Sequence, residues 1–324
     1  MRIQAILLTA GIAHLTTAAT VSSNSTKRGL IYIPQIHLDY PGDSAIFLDP
    51  SNTLTWYYNY QSSPSPQLEN QTHLQFVPMM WGNPENGGDY SFSDTVSDLI
   101  RKGHNITHVM GFNEPDGPNE TGGSDISPKG AAASWIRVLE PLREKHGLKL
   151  VGPATTGGPD GFVWLAKFFE ECDGRCNVDV MPVHWYGDFI GFSSHLGEKM
   201  AAYPNTPIWV TEYAFPHGDI ENSNRFFNES AEYMDRLAEV ERYSYFGAFR
   251  SERSNVGPYA AMLTEKGELT DIGSLYLGGG VTGKVPDGKV KGPPDDGTSG
   301  AVGKWELATN VDFWIVLGAA LAAF

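Results

Sequence analysis

Eight short segments rich in β-branched and aromatic residues recur along this chain, and stretches with the spacing of amphipathic helices separate most of them. The predicted strands cover residues 30–34, 54–57, 75–79, 108–113, 149–153, 178–184, 207–212 and 242–249. Strands and helices that alternate in this way form parallel sheets. Residues 27–277 also come close to the length of about 250 residues that is typical of a (β/α)8 barrel. The sequence therefore predicts an α/β fold, a TIM barrel in a single domain over 27–277.

Four of the intervening stretches carry a clear helical pattern, at residues 94–102, 129–145, 161–172 and 223–241. Ser93 stands where the first of these helices begins and is its predicted N-cap. Trp164 lies inside the third stretch, so we expect its ring to pack in the core.

The N-terminus has the order of features found in secretory signal peptides. Met1 and Arg2 precede an apolar run over 3–15, and small residues surround Ala19. A charged start, a short apolar run and a small-residue cleavage site together predict a signal peptide over 1–19. We therefore expect the protein to be secreted.

The C-terminus ends in a second apolar run, over 313–324. This run is shorter than the roughly 20 apolar residues that a membrane span requires, and it follows a small-residue site at 299–301 and a polar spacer. That order predicts a GPI-attachment propeptide over 301–324, preceded by a flexible Gly/Pro/Asp linker over 278–300. A terminal packing helix is the alternative. With the anchor, the protein would reside at the cell surface or in the cell wall.

Cys172 and Cys176 are the only cysteines of the chain. In an exported protein such a pair is more typical of a disulfide than of a metal site. Sequons for N-glycosylation occur at Asn24, Asn70, Asn105, Asn119 and Asn228. Both features are consistent with passage through the secretory pathway.

Acidic residues outnumber basic residues by 38 to 23, which gives a net charge of −15. Nucleic-acid-binding proteins need a basic surface, so this class is excluded. Strongly anionic substrates are disfavoured because the field of the protein would repel them. The charge favours a neutral or cationic ligand, and we expect a monomer with neither a cofactor nor a metal.

Two glutamates stand at the ends of predicted strands. Glu114 follows the fourth strand and Glu212 ends the seventh. In a barrel these positions lie at the C-terminal face, across the opening from each other. Hydrolysis of a glycosidic bond needs such a pair of carboxyl groups, one to protonate the leaving oxygen and one to attack the sugar or activate water. Either glutamate alone would more commonly be a surface or helix-capping residue.

Four motifs surround these acids: GFNEPD at 111–116, VGPATT at 151–156, VHWYGD at 183–188 and WVTEYAF at 209–215. Together they resemble glycoside hydrolase family 128, the fungal-type clan A β-1,3-glucanases of the glycosyl hydrolase catalytic core family. The resemblance implies a barrel that cleaves β-1,3-glucan with retention of configuration. It implies Glu114 as the acid/base and Glu212 as the nucleophile.

The same resemblance implies further site residues. Asn113 would bind the sugar 2-hydroxyl, and His184 and Tyr186 would lie beside the nucleophile, with Tyr186 holding its carboxylate. Many clan members also carry a tryptophan on the eighth strand. This chain has none there, and we expect Tyr245 or Phe246 to take its place.

Aromatic residues recur directly after the predicted strands, where they could stack on the apolar faces of sugars. The candidates are Trp56, Trp81, Trp185, Tyr186 and Tyr213. We expect Trp81 and Trp185 to be the main platforms. Core packing is the alternative for each of them, because buried aromatic rings usually belong to cores.

Three other functions remain open at this point. A glucan transglycosylase would use the same two glutamates. A tethered glucan-binding or structural wall protein without hydrolase activity would retain the barrel alone. A clan A enzyme acting on another neutral polysaccharide, such as mannan, would differ in substrate.

Overall fold

The computed structural model describes residues 21–37, 39–69, 72–84 and 86–290. The predicted signal peptide, the predicted GPI-attachment propeptide and the sequon at Asn70 lie outside the described residues. Asn24, Asn105 and Asn119 are exposed and Asn228 is half-buried, so glycosylation of these four stays a prediction. No helix within the described ranges is long and apolar enough to cross a membrane.

Eight parallel strands form the barrel. They are β1 (Arg28–Ile31), β2 (Trp56–Tyr58), β3 (Gln75–Phe76), β4 (His108–Met110), β5 (Lys149–Val151), β6 (Met181–Tyr186), β7 (Ile208–Ala214) and β8 (Val240–Tyr245). Six of them pair in the order β3-β2-β1-β8-β7-β6, and β4 pairs with β5. Single bridges from Met79 to Met110 and from Val151 to Val180 join the two groups. The circle of eight strands therefore closes, which confirms the predicted (β/α)8 barrel.

Helices surround the barrel. They are α1 (Pro34–His37), α2 (Ser44–Phe47), α3 (Ser91–Arg101), α4 (Pro128–Ser134), α5 (Glu140–His146), α6 (Pro159–Cys172), α7 (Phe189–Ala202), α8 (Ile220–Arg236) and α9 (Asp271–Tyr276). A π-helical stretch, Trp135–Leu139, joins α4 to α5. Short 3-10 turns occupy Pro41–Asp43, Asn119–Thr121, Ser251–Arg253 and Pro258–Ala260.

Each of the four predicted helical stretches is helical in the structure, but the one over 129–145 is divided into α4, the π-helical stretch and α5, and α7 was not predicted. Some predicted ends are also wrong. The N-cap of α3 is Tyr90, and the Ser93 hydroxyl donates to the Tyr90 carbonyl at 2.9 Å. The helix predicted over 223–241 ends at Arg236, because the residues from Val240 onward enter the sheet as β8. At the end of α6, Cys172 and Cys176 form the predicted disulfide.

The carboxyl ends of all eight strands lie at one end of the barrel, which we call the mouth; their amino ends form the lower end. Helices that follow the strands begin at the mouth. There the Asp188 and Asp219 side chains cap α7 and α8 by accepting hydrogen bonds from backbone N–H groups. The positive ends of these helix dipoles favour negative charge at the mouth.

Trp56 lies inside the barrel near its lower end, so the prediction of a sugar platform at this position is wrong. It is the first residue of β2, fully buried, and lies beside Gly29 of β1. A Cβ atom on Gly29 would stand 2.2 Å from the Trp56 ring, so only glycine fits there. The indole of Trp209 contacts that of Trp56, and the Arg242 guanidinium lies 4.3 Å from the Trp209 ring centroid.

Arg28 fixes the lower end from outside the sheet. Its guanidinium is fully buried and donates to the Tyr243 hydroxyl at 2.9 Å. It also donates to the carbonyls of Leu275 and Tyr276, at 3.0 and 2.9 Å. These carbonyls end α9, so the cation stabilises the negative end of that helix dipole.

The chain from Gly278 to Val290 runs back along α9 towards the mouth, without helix or strand. The Thr282 N–H donates to Asp271 at 2.7 Å, and the Lys284 ammonium pairs with Glu268 at 2.9 Å. These contacts hold the first part of the predicted linker against the barrel. Residues 278–290 are therefore packed on the barrel, past the predicted domain boundary at 277. The rest of the predicted linker, 291–300, lies outside the described residues.

Candidate active site

Two carboxyl groups meet at the mouth. Glu212 lies within β7, and Glu114 stands four residues past the end of β4. Their side chains are 6% and 13% exposed. One oxygen of each carboxyl group and one ring nitrogen of His184 all lie within 4.8 Å of one another. The two acids identified from the sequence are therefore direct neighbours in a mostly buried site.

Two phenols hold the Glu212 carboxylate. The Tyr186 hydroxyl donates to Oε2 at 2.7 Å, the contact that the sequence predicted. The Tyr60 hydroxyl donates to Oε1, also at 2.7 Å, and Tyr60 is 3% exposed. Burial raises the pKa of both phenols well above the usual value, so both remain protonated donors. Each carboxylate oxygen thus accepts one hydrogen bond from a neutral group, which fixes its direction.

His184 lies between the two carboxyl groups. The ring is fully buried on β6, with Nδ1 at 2.9 Å from Oε1 of Glu114 and Nε2 at 3.6 Å from Oε1 of Glu212. Burial alone would lower the pKa of His184. The charges of Glu212 and Glu114, and the hydrogen bond to Glu114, outweigh burial, so the pKa of His184 is raised.

The surroundings of Glu114 shift its equilibrium towards the protonated form. Burial is the largest cause and raises the pKa of Glu114 above its usual range. The hydrogen bond and charge of His184 act in the opposite direction, and the negative charges of Glu212 and Asp116 raise the pKa further. The two carboxyl groups thus have different surroundings: Glu114 has a raised pKa, and Glu212 accepts hydrogen bonds from two phenols. A glycosidase needs this difference between its acid and its second carboxyl group.

Asn113 precedes Glu114 and offers a free acceptor at the site. Its Nδ2 donates to the Gly122 carbonyl at 3.0 Å, and its backbone N–H donates to the Trp81 carbonyl at 2.9 Å. Its Oδ1 is buried without a hydrogen-bond partner. A buried amide oxygen without a partner is costly unless a ligand supplies a donor such as a sugar hydroxyl.

Comparison with known proteins agrees with this geometry. The family model described as glycosyl hydrolase catalytic core matches residues 29–276. A curdlan-specific exo-β-1,3-glucanase of glycoside hydrolase family 128 from Blastomyces gilchristii, solved with glucose, is 28% identical with a TM-score of 0.61. The match covers 79% of this chain and 99% of that one. The chain belongs to glycoside hydrolase family 128.

One further solved structure and one further sequence relative are similar to this family-128 chain. A family-128 exo-β-1,3-glucanase from Aureobasidium namibiae has a TM-score of 0.65 over 78% of this chain and 95% of that one; at 24% identity this concerns the fold alone. The alkali-sensitive linkage protein 1 of Schizosaccharomyces pombe is 30% identical over 265 residues, which are 79% of this chain. The chain spans 45% of the length of that relative.

Tyr213, which follows Glu212 in the fourth motif, lies on the outer face of the barrel sheet. Successive side chains of a strand point to opposite faces. Glu212 points into the barrel, so Tyr213 points outward, where its fully buried ring contacts Phe192 of α7 and Phe226 of α8. The predicted role of Tyr213 in sugar binding is therefore wrong.

Trp185 follows the same rule between His184 and Tyr186. Its half-buried ring stands 5.4 Å from the ring of His195 on α7, and its Nε1 donates to the Asp188 carbonyl. The ring thus packs on the helix side of β6, which argues against its role as the main platform. Trp81 is also half-buried and lies beside Asn113, so it remains our predicted platform. Trp164 packs in the core, as predicted.

Phe246, and not Tyr245, stands at the site end of β8. Its ring contacts that of Tyr186 edge to face, with 5.7 Å between centroids. Tyr245 faces outward among Tyr213, Phe227 and Tyr276. Phe246 is only 1% exposed, so it supports Tyr186 from behind.

Among the described residues, Glu114, His184 and Glu212 form the one group of three or more potential metal ligands. Both oxygens of Glu212 already accept phenolic hydrogen bonds. This arrangement fits a nucleophile for glycoside hydrolysis, a reaction whose usual catalytic groups are two carboxyls.

Tyr60 is the site residue that sequence reasoning missed. It lies two residues past β2, with φ at 62°, and the predicted strand ended at Tyr57. Its motif has no catalytic signature. The available signal was an aromatic residue just beyond a strand end. This signal was applied to Trp56 and not to Tyr60.

Proposed function

We propose that this chain hydrolyses β-1,3-glucan with retention of the anomeric configuration, with Glu212 as nucleophile and Glu114 as acid/base. The observation that carries the proposal is the pair of carboxyl oxygens within 4.8 Å of each other at the mouth. Retaining enzymes hold their carboxyl groups about 5–5.5 Å apart, whereas inverting enzymes separate them by about 6.5–9.5 Å to admit a water molecule.

In the first step Glu114 donates its proton to the glycosidic oxygen while a Glu212 oxygen attacks C1. The bond from C1 to the leaving oxygen breaks, and an ester bond from Glu212 to the sugar forms. The raised pKa of Glu114 supports this role, because the acid must carry its proton when the substrate binds. The Tyr60 and Tyr186 hydroxyls orient the nucleophile by donating a hydrogen bond to each of its oxygens.

In the second step Glu114 acts as a base and takes a proton from water, which attacks C1 and releases Glu212. Formation of the ester removes the charge of Glu212, and one cause of the raised pKa of Glu114 then disappears. His184 lies beside both carboxyl groups, with Nδ1 at 2.9 Å from Oε1 of Glu114. The same residue is thus an acid in one step and a base in the next.

The substrate class rests on the relatives. The Blastomyces gilchristii protein, 28% identical to this chain, is a β-1,3-glucanase specific for curdlan. The net charge of −15 also favours a neutral polymer over an anionic one.

The decisive experiment is incubation of the secreted full chain with laminarin, followed by product chromatography and NMR of the first anomer released. We expect short β-anomeric oligosaccharides. Glu212→Gln and Glu114→Gln should each lower turnover by about 10³-fold or more without a change in melting temperature. Activity close to wild type in either variant would refute the assignment.

Other results would favour the alternatives. Products longer than the starting chains would indicate a transglycosylase. Release of the α-anomer would indicate inversion. A folded protein that binds laminarin and releases nothing would indicate a glucan-binding wall protein, and turnover of mannan alone would change the substrate.

We also propose that the protein is exported, glycosylated and attached to the cell surface or wall. The disulfide between Cys172 and Cys176 supports export, because disulfides persist in oxidising compartments. The exposed sequons at Asn105 and Asn119 are accessible to glycosylation. Digestion of the native protein with endoglycosidase and with phosphatidylinositol-specific phospholipase C tests both modifications; unchanged mobility and no release would reject them.

A further inference from the structure

A lysine is buried behind the catalytic acid. Lys199 of α7 is 1% exposed, and its Nζ donates to the Thr155 hydroxyl at 3.2 Å. The ammonium also stands 4.4 Å from the centroid of the Phe162 ring. Within the described part of the chain, Nζ makes no ion pair with a carboxylate. Burial of a charge without an opposite charge is costly, so the position of Lys199 needs a reason.

Thr155 is the middle residue of a segment that holds the loop of the catalytic acid. On one side of it, the Ala154 carbonyl accepts a 2.6 Å hydrogen bond from the backbone N–H of Glu114. On the other side, Thr156 donates to both oxygens of Asp116, from its N–H at 2.9 Å and from its hydroxyl at 2.5 Å. The segment 154–156 therefore fixes the backbone on both sides of Pro115.

Glu114 needs such a hold because its backbone is strained. Its φ is 41°, in the left-handed region that favours glycine. Non-glycine residues persist there only where the surrounding structure fixes them. If the segment 154–156 shifted, the Glu114 carboxyl would move away from the glycosidic oxygen.

We propose that Lys199 is a positioning residue for Glu114, acting through Thr155 to hold the segment that fixes the loop of the catalytic acid. The inference rests on the proposed function, in which Glu114 protonates the leaving group. Lys199 touches neither substrate nor reacting atoms.

The charges around Lys199 are consistent with this role. Burial lowers the pKa of Lys199 to about 8 and the charge of Asp116 opposes the shift, so the ammonium remains protonated at neutral pH. His195, one turn earlier on α7, is 5% exposed, and burial lowers its pKa to about 4. The Thr155 hydroxyl is the hydrogen-bond acceptor that the structure gives to the Lys199 ammonium.

The test compares two lysine substitutions. Lys199→Met removes the ammonium and keeps the apolar stem. Lys27→Met is the matched control, because the Lys27 ammonium also donates to protein oxygens, the carbonyls of Met234 and Leu237 at 2.9 and 2.7 Å, but at the lower end of the barrel. Thr155→Val removes the acceptor without altering α7, so it replaces Lys199→Met if that variant does not fold.

Two substrates separate positioning of the acid from general damage. Laminarin needs protonation of its leaving group, whereas dinitrophenyl β-laminaritrioside does not. We expect Lys199→Met and Thr155→Val to lower kcat/KM by about tenfold on laminarin and by less than about twofold on the aryl glycoside. The comparison uses kcat/KM because this quantity reports the first step, whereas turnover of the aryl glycoside also depends on Glu114 as the base of the second step. Lys27→Met should leave both within about twofold. An equal loss on both substrates, or no loss on laminarin, would overturn the inference.

Hydrogen exchange provides a readout without turnover. The amides of Glu114 and Thr156, which the segment 154–156 protects, should exchange faster in Lys199→Met and at the wild-type rate in Lys27→Met. Unchanged exchange in Lys199→Met would also overturn the inference. If the wild type cleaved no glucan, the proposed function would fail, while the exchange rates would still decide whether Lys199 positions this loop.

Discussion

The mouth and the lower end of the barrel each bury a histidine, and the two rings have opposite protonation behaviour. His184 at the mouth lies between two carboxyl groups, which raise its pKa despite burial. Burial lowers the pKa of His108 at the lower end to about 4, and the charges of Arg242 and Lys149 act in the same direction. His184 is fully buried and His108 is 9% exposed, so burial lowers the pKa at both sites. The sign of the neighbouring charge therefore decides whether a buried histidine carries a proton.

The charges follow the direction of the surrounding helices. Carboxyl groups lie at the mouth, where helices begin, and the guanidinium groups of Arg28 and Arg242 lie at the lower end, where helices finish. Anions are stabilised at helix N-termini and cations at C-termini. At these positions, negative charge lies at the mouth and positive charge lies at the lower end.

The largest expected effect is at the lower end of the barrel, and it concerns stability and not turnover. Arg28→Met should lower the free energy of unfolding by about 3–5 kcal/mol, because it removes a buried cation that holds Tyr243 and the end of α9. Urea unfolding measures the loss. Laminarin turnover well below the melting temperature should stay within about twofold of wild type. A fall in turnover at unchanged stability would show that the lower end contributes directly to catalysis, contrary to this prediction.

A change at the mouth should have the reverse result. Tyr60→Phe removes a hydrogen bond to a carboxylate that is worth about 1.5–3 kcal/mol, which corresponds to about 10- to 150-fold in turnover. The melting temperature should change little.

Tyr58→Phe is the matched control for this substitution. The Tyr58 hydroxyl donates to the backbone carbonyl of Thr211 at 2.9 Å, next to the nucleophile but not on it. Equal losses of turnover in the two variants would contradict a direct role of Tyr60.

The smallest expected effect concerns pH. The folded pKa of His108, about 4, lies below the ordinary value of 6.5, so the unfolded chain binds this proton first on acidification. Stability should then fall between pH 6.5 and about 4, by at most about 1.4 kcal/mol per pH unit from this one group. His108→Gln should remove that part of the slope in urea unfolding. A steeper fall of stability in the variant would show that His108 stabilises the protein on acidification, contrary to this prediction.

The sequence was informative where position along a strand determines chemistry. Glu114 and Glu212 were found because both follow apolar strands in a recognisable motif, and Tyr186 was correctly placed on the Glu212 carboxylate. Tyr213 was misplaced because the predicted strand ended at Glu212, whereas β7 continues to Ala214, and two neighbours on one strand cannot both face the barrel interior.

The remaining errors have physical causes that a single sequence hides. Trp56 begins its strand beside Gly29, a close fit that only the strand register reveals. Tyr60 approaches Glu212 from a loop in a left-handed conformation, 152 positions away along the chain. Contacts of this range depend on how the barrel closes, which residue patterns do not record.

The return of the chain after α9 has a consequence for reach. Asp287 bonds to Glu265, and Gly288 approaches the Tyr259 hydroxyl in the loop that follows β8. Asp287 and Gly288 therefore lie on the same side of the barrel as the catalytic opening. A barrel held by this end would work on polymer close to its point of attachment, with its opening turned towards that support.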